Sequence, residues 1–351
     1  MKRIAALTSG GDAPGMNAAL HAIVKLAARQ GIETLGVENG YDGLIEGRGH
    51  LLGLREVDPI GGWGGTMLGS ARSRAFRTPE GRAQAARALK GCLGLVVIGG
   101  NGSLTGAHLL AQEHGVKVMG IPASIDNDIG CTATAIGVDT ALNTIVSACD
   151  RISDTARAHR RVFVVEVMGR QCGYLAMAGA IASGADACLY REQGKDEDQV
   201  VAELSAMMRS SFSPERDKRR VLVIKAEGVT TPAQRIVDRL QAVVDEEIPG
   251  VTVRATVLGH LVRGGAPSYQ DRMVAGRLAV GAVSGLLEGA TDQMVGWQPW
   301  DSDGLKTRDP SVQRFPLSAV LERTEALLDG TSEVTQRRVA LLEAHAGVLS
   351  V

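Results

Sequence analysis

Two carboxylates two residues apart, Asp126 and Asp128 in Ser124-Ile-Asp-Asn-Asp128, follow the apolar run Val116–Ile121. Just past a buried strand, such a pair can combine a general base with a metal-holding or positioning role. The same residues also build an Asx-rich turn that caps the next segment. Glycine clusters stand at two further points, Thr8-Ser-Gly-Gly11-Asp-Ala-Pro-Gly15 and Ile98-Gly-Gly-Asn101-Gly102-Ser103-Leu104-Thr-Gly106. Consecutive glycines let backbone N–H groups point at an anion, and a following helix N-terminus favours negative charge. A plain tight turn uses the same residues. Neither cluster is a Walker loop or the G-x-G-x-x-G fingerprint. Arginines recur beside glycines: Arg161 opens Val162–Val167, and Met168-Gly169-Arg170 closes it. Later come Glu227-Gly228, Arg254, His260 and Arg263-Gly-Gly265. Guanidinium forks bind phosphate through two parallel hydrogen bonds, and a nearby histidine can supplement them.

The elements that must carry these residues are legible as periods. Arg3–Thr8, Leu93–Ile98, Val116–Ile121, Val162–Val167, Ala187–Tyr190 and Val221–Ala226 read as buried strands. Met16–Arg29, Leu104–Glu113, Asp139–Asp154, Gln199–Arg209 and Pro232–Glu247 have helical spacing. Alternation of the two predicts an α/β protein with mostly parallel sheets, in which ligands sit at the carboxyl ends of strands. Gly61–Gly69, with five glycines in nine residues, is a loop, and Leu317–Ala346 reads as a charged C-terminal helix for packing or assembly.

Composition narrows the function. The 351 residues carry 38 Lys+Arg against 39 Asp+Glu, a net charge of −1, so there is no basic field for nucleic acid. Aromatics at 3% give no platform for stacking single-stranded bases. Cys92, Cys131, Cys149, Cys172 and Cys188 never form C-x-x-C, which argues against a disulfide framework or zinc site. Four apolar residues, Ile4–Leu7, are too few for a signal peptide, and the uncharged apolar stretch Gln171–Ala185 is Gly- and Ala-rich and too short to span a bilayer. The expectation is a soluble, cytoplasmic protein without membrane or nucleic-acid partners.

Together the clusters resemble the 6-phosphofructokinase family. The matching blocks are TSGGDAPGMNAAL (Thr8–Leu20), GGTMLGSAR (Gly64–Arg72), IGGNGSLTGA (Ile98–Ala107), SIDND (Ser124–Asp128), VEVMGRQCGYLA (Val165–Ala176), AEG (Ala226–Gly228) and RATVLGHLVRGG (Arg254–Gly265), in family order over about Ile4 to Leu278. The resemblance implies the phosphofructokinase fold of two interleaved Rossmann-like lobes. Residues 1–138 with 262–310 would form the nucleotide-binding lobe, and 139–261 with 311–351 the lobe for fructose 6-phosphate and the C-terminal helical segment. It implies transfer of a phosphoryl group from ATP to the 1-hydroxyl of fructose 6-phosphate, with Mg²⁺. Gly11, Arg72, Ser73, Gly102, Ser103 and Leu104 would line the nucleotide site. Ser124 and Asp126 would face the sugar, with Asp126 as base and Asp128 holding metal or orienting that base. Met168, Gly169, Arg170, Glu227, His260 and Arg263 would bind the sugar phosphate, with Arg170 also neutralising charge in the transfer. Arg161 and Arg254 would reach a neighbouring subunit's site, which implies a homo-oligomer, most often a homotetramer.

Three positions depart from the family pattern. Asn101 stands at the usual place of a metal-associated Asp, which removes a charge near the metal. Ser124 replaces a commoner Thr and keeps the hydroxyl. His21, Lys25 and Ser153 stand where regulated bacterial members have effector-binding arginines. Pyrophosphate-using relatives usually carry Asp at the place of Gly102 and Lys at that of Ala123. The small neutral residues here favour ATP over pyrophosphate, and Asn101 motivates a catalytically weak regulatory subunit as the other alternative.

Overall fold

The computed structural model describes residues 2–300 and 302–349. Residues 1, 301, 350 and 351, which fall in the expected lobes, lie outside the described residues. In chain order the elements are β1 (Arg3–Ser9), α1 (Met16–Arg29), β2 (Glu33–Val37), α2 (Gly40–Glu46), β3 (Gly49–Leu51), α3 (Leu54–Val57), α4 (Pro79–Ala88), β4 (Leu95–Gly99), α5 (Asn101–His114) and β5 (Val118–Pro122). Then follow α6 (Val138–His159), β6 (Arg161–Val167), α7 (Tyr174–Ser183), β7 (Ala187–Leu189), α8 (Glu197–Ser211), β8 (Arg220–Ala226), α9 (Ala233–Glu247) and β9 (Thr252–Val257). The chain closes with α10 (Tyr269–Leu287), β10 (Gln293–Trp297), β11 (Leu305–Lys306), β12 (Val312–Pro316), α11 (Leu317–Leu328) and α12 (Glu333–Leu349).

The chain divides into two units, Met1–Thr140 with Arg263–Leu327 and Ala141–Val262 with Leu328–Val351. The first unit holds an eight-stranded sheet in the order β11-β12-β10-β5-β4-β1-β2-β3. Its middle, from β2 through β10, is parallel, while the outer pairings β2–β3, β10–β12 and β12–β11 are antiparallel. Strand β4 (Leu-Val-Val-Ile-Gly) is buried throughout, as a strand covered on both faces must be, so its residues do not alternate. Helix α1 buries Leu20, Ile23, Val24 and Ala27, one stripe at helical spacing.

The second unit is built on a four-stranded parallel sheet, β7-β8-β6-β9. Helices α8 and α9 cover it with a core that includes Val200, Leu204, Met208, Ile236, Leu240 and Val244. Helix α8 opens with a reciprocal cap: Gln199 N–H donates to Asp196 Oδ1 at 2.8 Å and Asp196 N–H donates to Gln199 Oε1 at 3.0 Å.

Two expectations are corrected. Residues 311–327 belong to the first unit, because β12 pairs with β10 in its sheet and Gly130 N–H donates to Thr324 Oγ1 of α11 at 2.9 Å. The single helix expected over Leu317–Ala346 is two, broken where Gly330 takes a φ of 76° and Ser332 Oγ accepts the Thr335 N–H to start α12. Among the described residues, no helix is long and apolar enough to cross a membrane.

One buried carboxylate ties the first unit's loops together. Asp271, 2% exposed in the first turn of α10, accepts hydrogen bonds from Gly137 N–H, Thr140 N–H and Thr140 Oγ1–H at 2.8, 2.8 and 2.5 Å. Burial pushes its carboxyl above the ordinary 3.8 in spite of these donors. Its folded pKa thus exceeds its unfolded one, so stability falls as pH rises from 3.8 through the raised value.

Candidate active site

In the first unit, β1, β4 and β5 are neighbours and end side by side, with Ser9 beside Gly99 and Gly99 beside Pro122. The Gly10–Gly15 turn, the first turn of α5 and the Ser124–Asp128 loop therefore emerge at one edge of the sheet. Gly10 and Gly15 have φ of 91° and 108°, a region costly for residues with a Cβ.

Asp126 is 2% exposed and Asp128 8%. The Ser124 hydroxyl accepts the Asp126 N–H at 3.3 Å and donates to Asp128 Oδ1 at 2.8 Å, so it shapes the loop that carries both carboxylates. Asn127, at φ 50°, closes the same loop by donating to Ala133 O and accepting the Ala135 N–H. Arg263 completes the cluster. Its guanidinium donates to Asp12 O at 3.1 Å, lies 3.9 Å from Asp126 Oδ1, and packs against Gly11, where a Cβ would come within 3.0 Å of Nη1. Arg263 is thus placed with the acidic loop and the glycine turn, a grouping that spacing alone did not suggest.

The α5 turn differs in detail from expectation. Gly102 is exposed, and a Cβ there would meet nothing within 4 Å. Ser103 is buried, with its hydroxyl packed against Gly10 and Gly99 and its carbonyl accepting from the buried Tyr41 hydroxyl at 2.6 Å. Leu104 is 0% exposed and packs over Gly120 of β5. Its side chain is core, so only its backbone can face a ligand. Arg72 is exposed, and the Ser73 hydroxyl accepts the Phe76 N–H at 3.0 Å. The loop bearing them is stitched to β1: Thr8 Oγ1 donates to Gly69 O at 2.8 Å and Ser70 Oγ donates to Gly10 O at 2.6 Å.

The second unit gathers Met168, Gly169, Arg170, Glu227 and Gly228 at the carboxyl ends of β6 and β8. Glu227 Oε1 accepts the N–H groups of Gly169 and Arg170 at 3.1 and 2.6 Å. Those bonds hold Arg170 at φ 49°, the left-handed region that a side chain resists. Gly228 lies against Arg170, whose carbonyl oxygen would be 2.2 Å from a Cβ there. His260 is exposed in the turn after β9, with the preceding Leu258 N–H bonded to Glu166 O. The C-terminal helix braces the same loop: the Arg338 guanidinium lies 4.3 Å above the Tyr174 ring and donates to Cys172 Sγ.

Arg161 and Arg254 are not brought to that loop. Arg161 is the first residue of β6, roughly 20 Å of extended strand from Met168, and Arg254 is exposed in the middle of edge strand β9. Of the positions noted for regulation, Lys25 pairs with Asp58 at 2.7 Å and Ser153 accepts from Arg220 at 2.7 Å.

Gly228→Ala is expected to cost about 1–3 kcal/mol by overpacking against Arg170. Gly102→Ala, opening into space on a helix, should gain up to about 1 kcal/mol. Thermal or urea unfolding of both variants checks this; equal effects would remove the distinction between the two glycines.

Known proteins resemble the chain along most of its length. Residues 3–286 match the family model described as Phosphofructokinase. The chain is 46% identical to an ATP-dependent 6-phosphofructokinase of Thermotoga petrophila over 300 residues, covering 85% of this chain and 90% of the relative. It is 43% identical to ATP-dependent 6-phosphofructokinase 1 of Thermus thermophilus over 330 residues, covering 93% and 99%. Among solved structures, phosphofructokinase from Saccharomyces cerevisiae superposes with a TM-score of 0.84 at 33% identity, over 97% of this chain and 48% of the yeast one. With a family model spanning most of its length and relatives this similar, the chain belongs to the phosphofructokinase family.

Proposed function

We infer that this chain is an ATP-dependent 6-phosphofructokinase, a glycolytic kinase that moves the γ-phosphoryl of ATP to the 1-hydroxyl of fructose 6-phosphate, releasing ADP and fructose 1,6-bisphosphate. The observation that carries the reading is Asp126, buried beside Arg263 at the end of β5, next to a glycine-rich α5 turn whose Gly102 is open. Phosphoryl transfer needs positioning and charge neutralisation more than covalent chemistry. Asp126 takes the proton of the sugar 1-hydroxyl, while Arg263 fixes its carboxylate. Gly11 and the amides of the α5 turn receive the nucleotide phosphates, with Arg72 and Ser73 on the loop that Ser70 ties to Gly10. Met168, Gly169, Arg170, Glu227 and His260 hold the sugar phosphate.

Mg²⁺ takes oxygen donors, often one or two carboxylates completed by substrate phosphates. Asp128 and the Asn101 amide are oxygen donors at adjoining strand ends and fit that preference. Bound there, Mg²⁺ would supply charge neutralisation for the nucleotide phosphates. The edge position of Arg254, with Val257 and Leu261 about 60% exposed nearby, supports a homotetramer in which Arg161 and Arg254 serve a neighbouring subunit. The setting implied by the reaction is the cytoplasm.

Purified protein with fructose 6-phosphate and Mg²⁺ should turn over faster with ATP than with pyrophosphate, because Gly102 leaves the donor unobstructed. An equal or faster rate with pyrophosphate sinks the ATP assignment.

Asp126→Ala should lower kcat about 10²–10⁴-fold with the sugar KM little changed. Mixed with inactive Arg254→Ala subunits, it should regain activity through hybrid sites. Lack of regain in demonstrably mixed oligomers counts against sharing between subunits.

Asn101→Asp restores a charged oxygen and should lower the Mg²⁺ concentration that gives half-maximal rate. An unchanged Mg²⁺ dependence would mean that Asn101 only shapes the turn. An inactive natural protein rescued by Asn101→Asp would make the chain a regulatory subunit.

A further inference from the structure

Lysine ammonium groups are seldom buried, since leaving water is costly unless each proton finds an acceptor and a carboxylate balances the charge. Lys225, the next-to-last residue of β8, is 1% exposed. Its ammonium donates to Glu166 Oε2 at 2.9 Å, to Ala226 O at 3.2 Å and to Val229 O at 3.3 Å. The group has three protons, and each has an acceptor. Glu166 is its register partner on β6 and is also the next-to-last residue of its strand.

Stability does not account for this arrangement. Replacing a buried ion pair by apolar residues of similar size is often neutral or stabilising. What the ammonium supplies is direction. It ties the first and last carbonyls of the turn from Ala226 to Val229, which the Val229 N–H to Ala226 O bond closes. Glu227 sits inside that turn, and its carboxylate holds the amides of Gly169 and Arg170.

We propose that Lys225 is a positioning residue for the sugar phosphate: it fixes the Ala226–Val229 turn, so that Glu227 meets the Gly169 and Arg170 amides and keeps Arg170 in its left-handed conformation. The proposal rests on the reading of Met168–Arg170 as the sugar-phosphate loop.

The test compares Lys225→Met, Glu166→Gln, the double variant and Arg170→Ala in the full-length enzyme, measuring Tm, kcat and KM for each substrate. Lys225→Met should lower Tm and raise the fructose 6-phosphate KM about ten-fold or more, with the ATP KM unchanged. Glu166→Gln keeps both carbonyl bonds and should leave the sugar KM within about two-fold. The double variant removes the unbalanced charge, so its Tm should recover while its sugar KM stays raised. Recovery of both in the double variant overturns the proposal, because Lys225 would then only balance Glu166. A normal sugar KM in the double variant beside a raised one in Arg170→Ala overturns the positioning role alone. A normal sugar KM in Arg170→Ala overturns the loop assignment, and this proposal with it.

Discussion

The buried carboxylate of Asp271 sets the geometry of the first unit. It sits on α10, yet its acceptors are filled by Gly137 and Thr140, where the acidic loop ends and α6 begins. Three hydrogen bonds converging on one carboxyl fix the geometry of that junction. The Gly15 turn also depends on it. A Cβ on Gly15 would lie 2.6 Å from Ile136 and 3.6 Å from Asp271, so the entry to α1 can approach only as bare backbone. The glycine turn, the acidic loop and the start of α10 are therefore one packed assembly, with Asp126 and Arg263 supported from behind.

The second unit solves its positioning problem differently. Its Met168–Arg170 loop is bent into a conformation that Arg170 disfavours, by a cost on the order of 1–3 kcal/mol. Glu227 offsets that strain with two charge-assisted bonds, while Gly228 admits the bent carbonyl and Arg338 packs beside Tyr174. A strained backbone held from several sides is preorganised, because it has no freedom left to lose when an anion arrives.

How far the sequence foretold this depended on the range of the interaction. Six strands were legible because short, mostly apolar runs have few other fates, and α1 was legible from its apolar stripe; buried β10 was not foreseen. Strand β9 was missed because an edge strand with exposed Arg254 and Val257 carries no such run. The α11–α12 break was hidden by the helix-forming residues on both sides of Gly330. Asp126 and Asp128 stood out through local spacing. Asp271 did not, although Ser268-x-x-Asp271 is a helix-start pattern, since its partners lie more than a hundred residues away in the chain. Lys225 escaped for a simpler reason: in a one-dimensional reading a lysine is presumed solvated, and only the pairing of β6 with β8 shows it enclosed.

Chain order adds a consequence for synthesis. In the finished sheet β5 lies between β4 and β10 and is buried along its whole length. Strand β10 follows β5 by roughly 170 residues, most of them the second unit, which at about 5–20 residues per second is a delay of roughly ten to thirty seconds. Through that interval β5 is an apolar edge with unpaired amides and carbonyls, open to another nascent chain. The interleaving that brings Arg263 to Asp126 is, for the growing chain, a period of exposure that a chaperone or rapid elongation must cover.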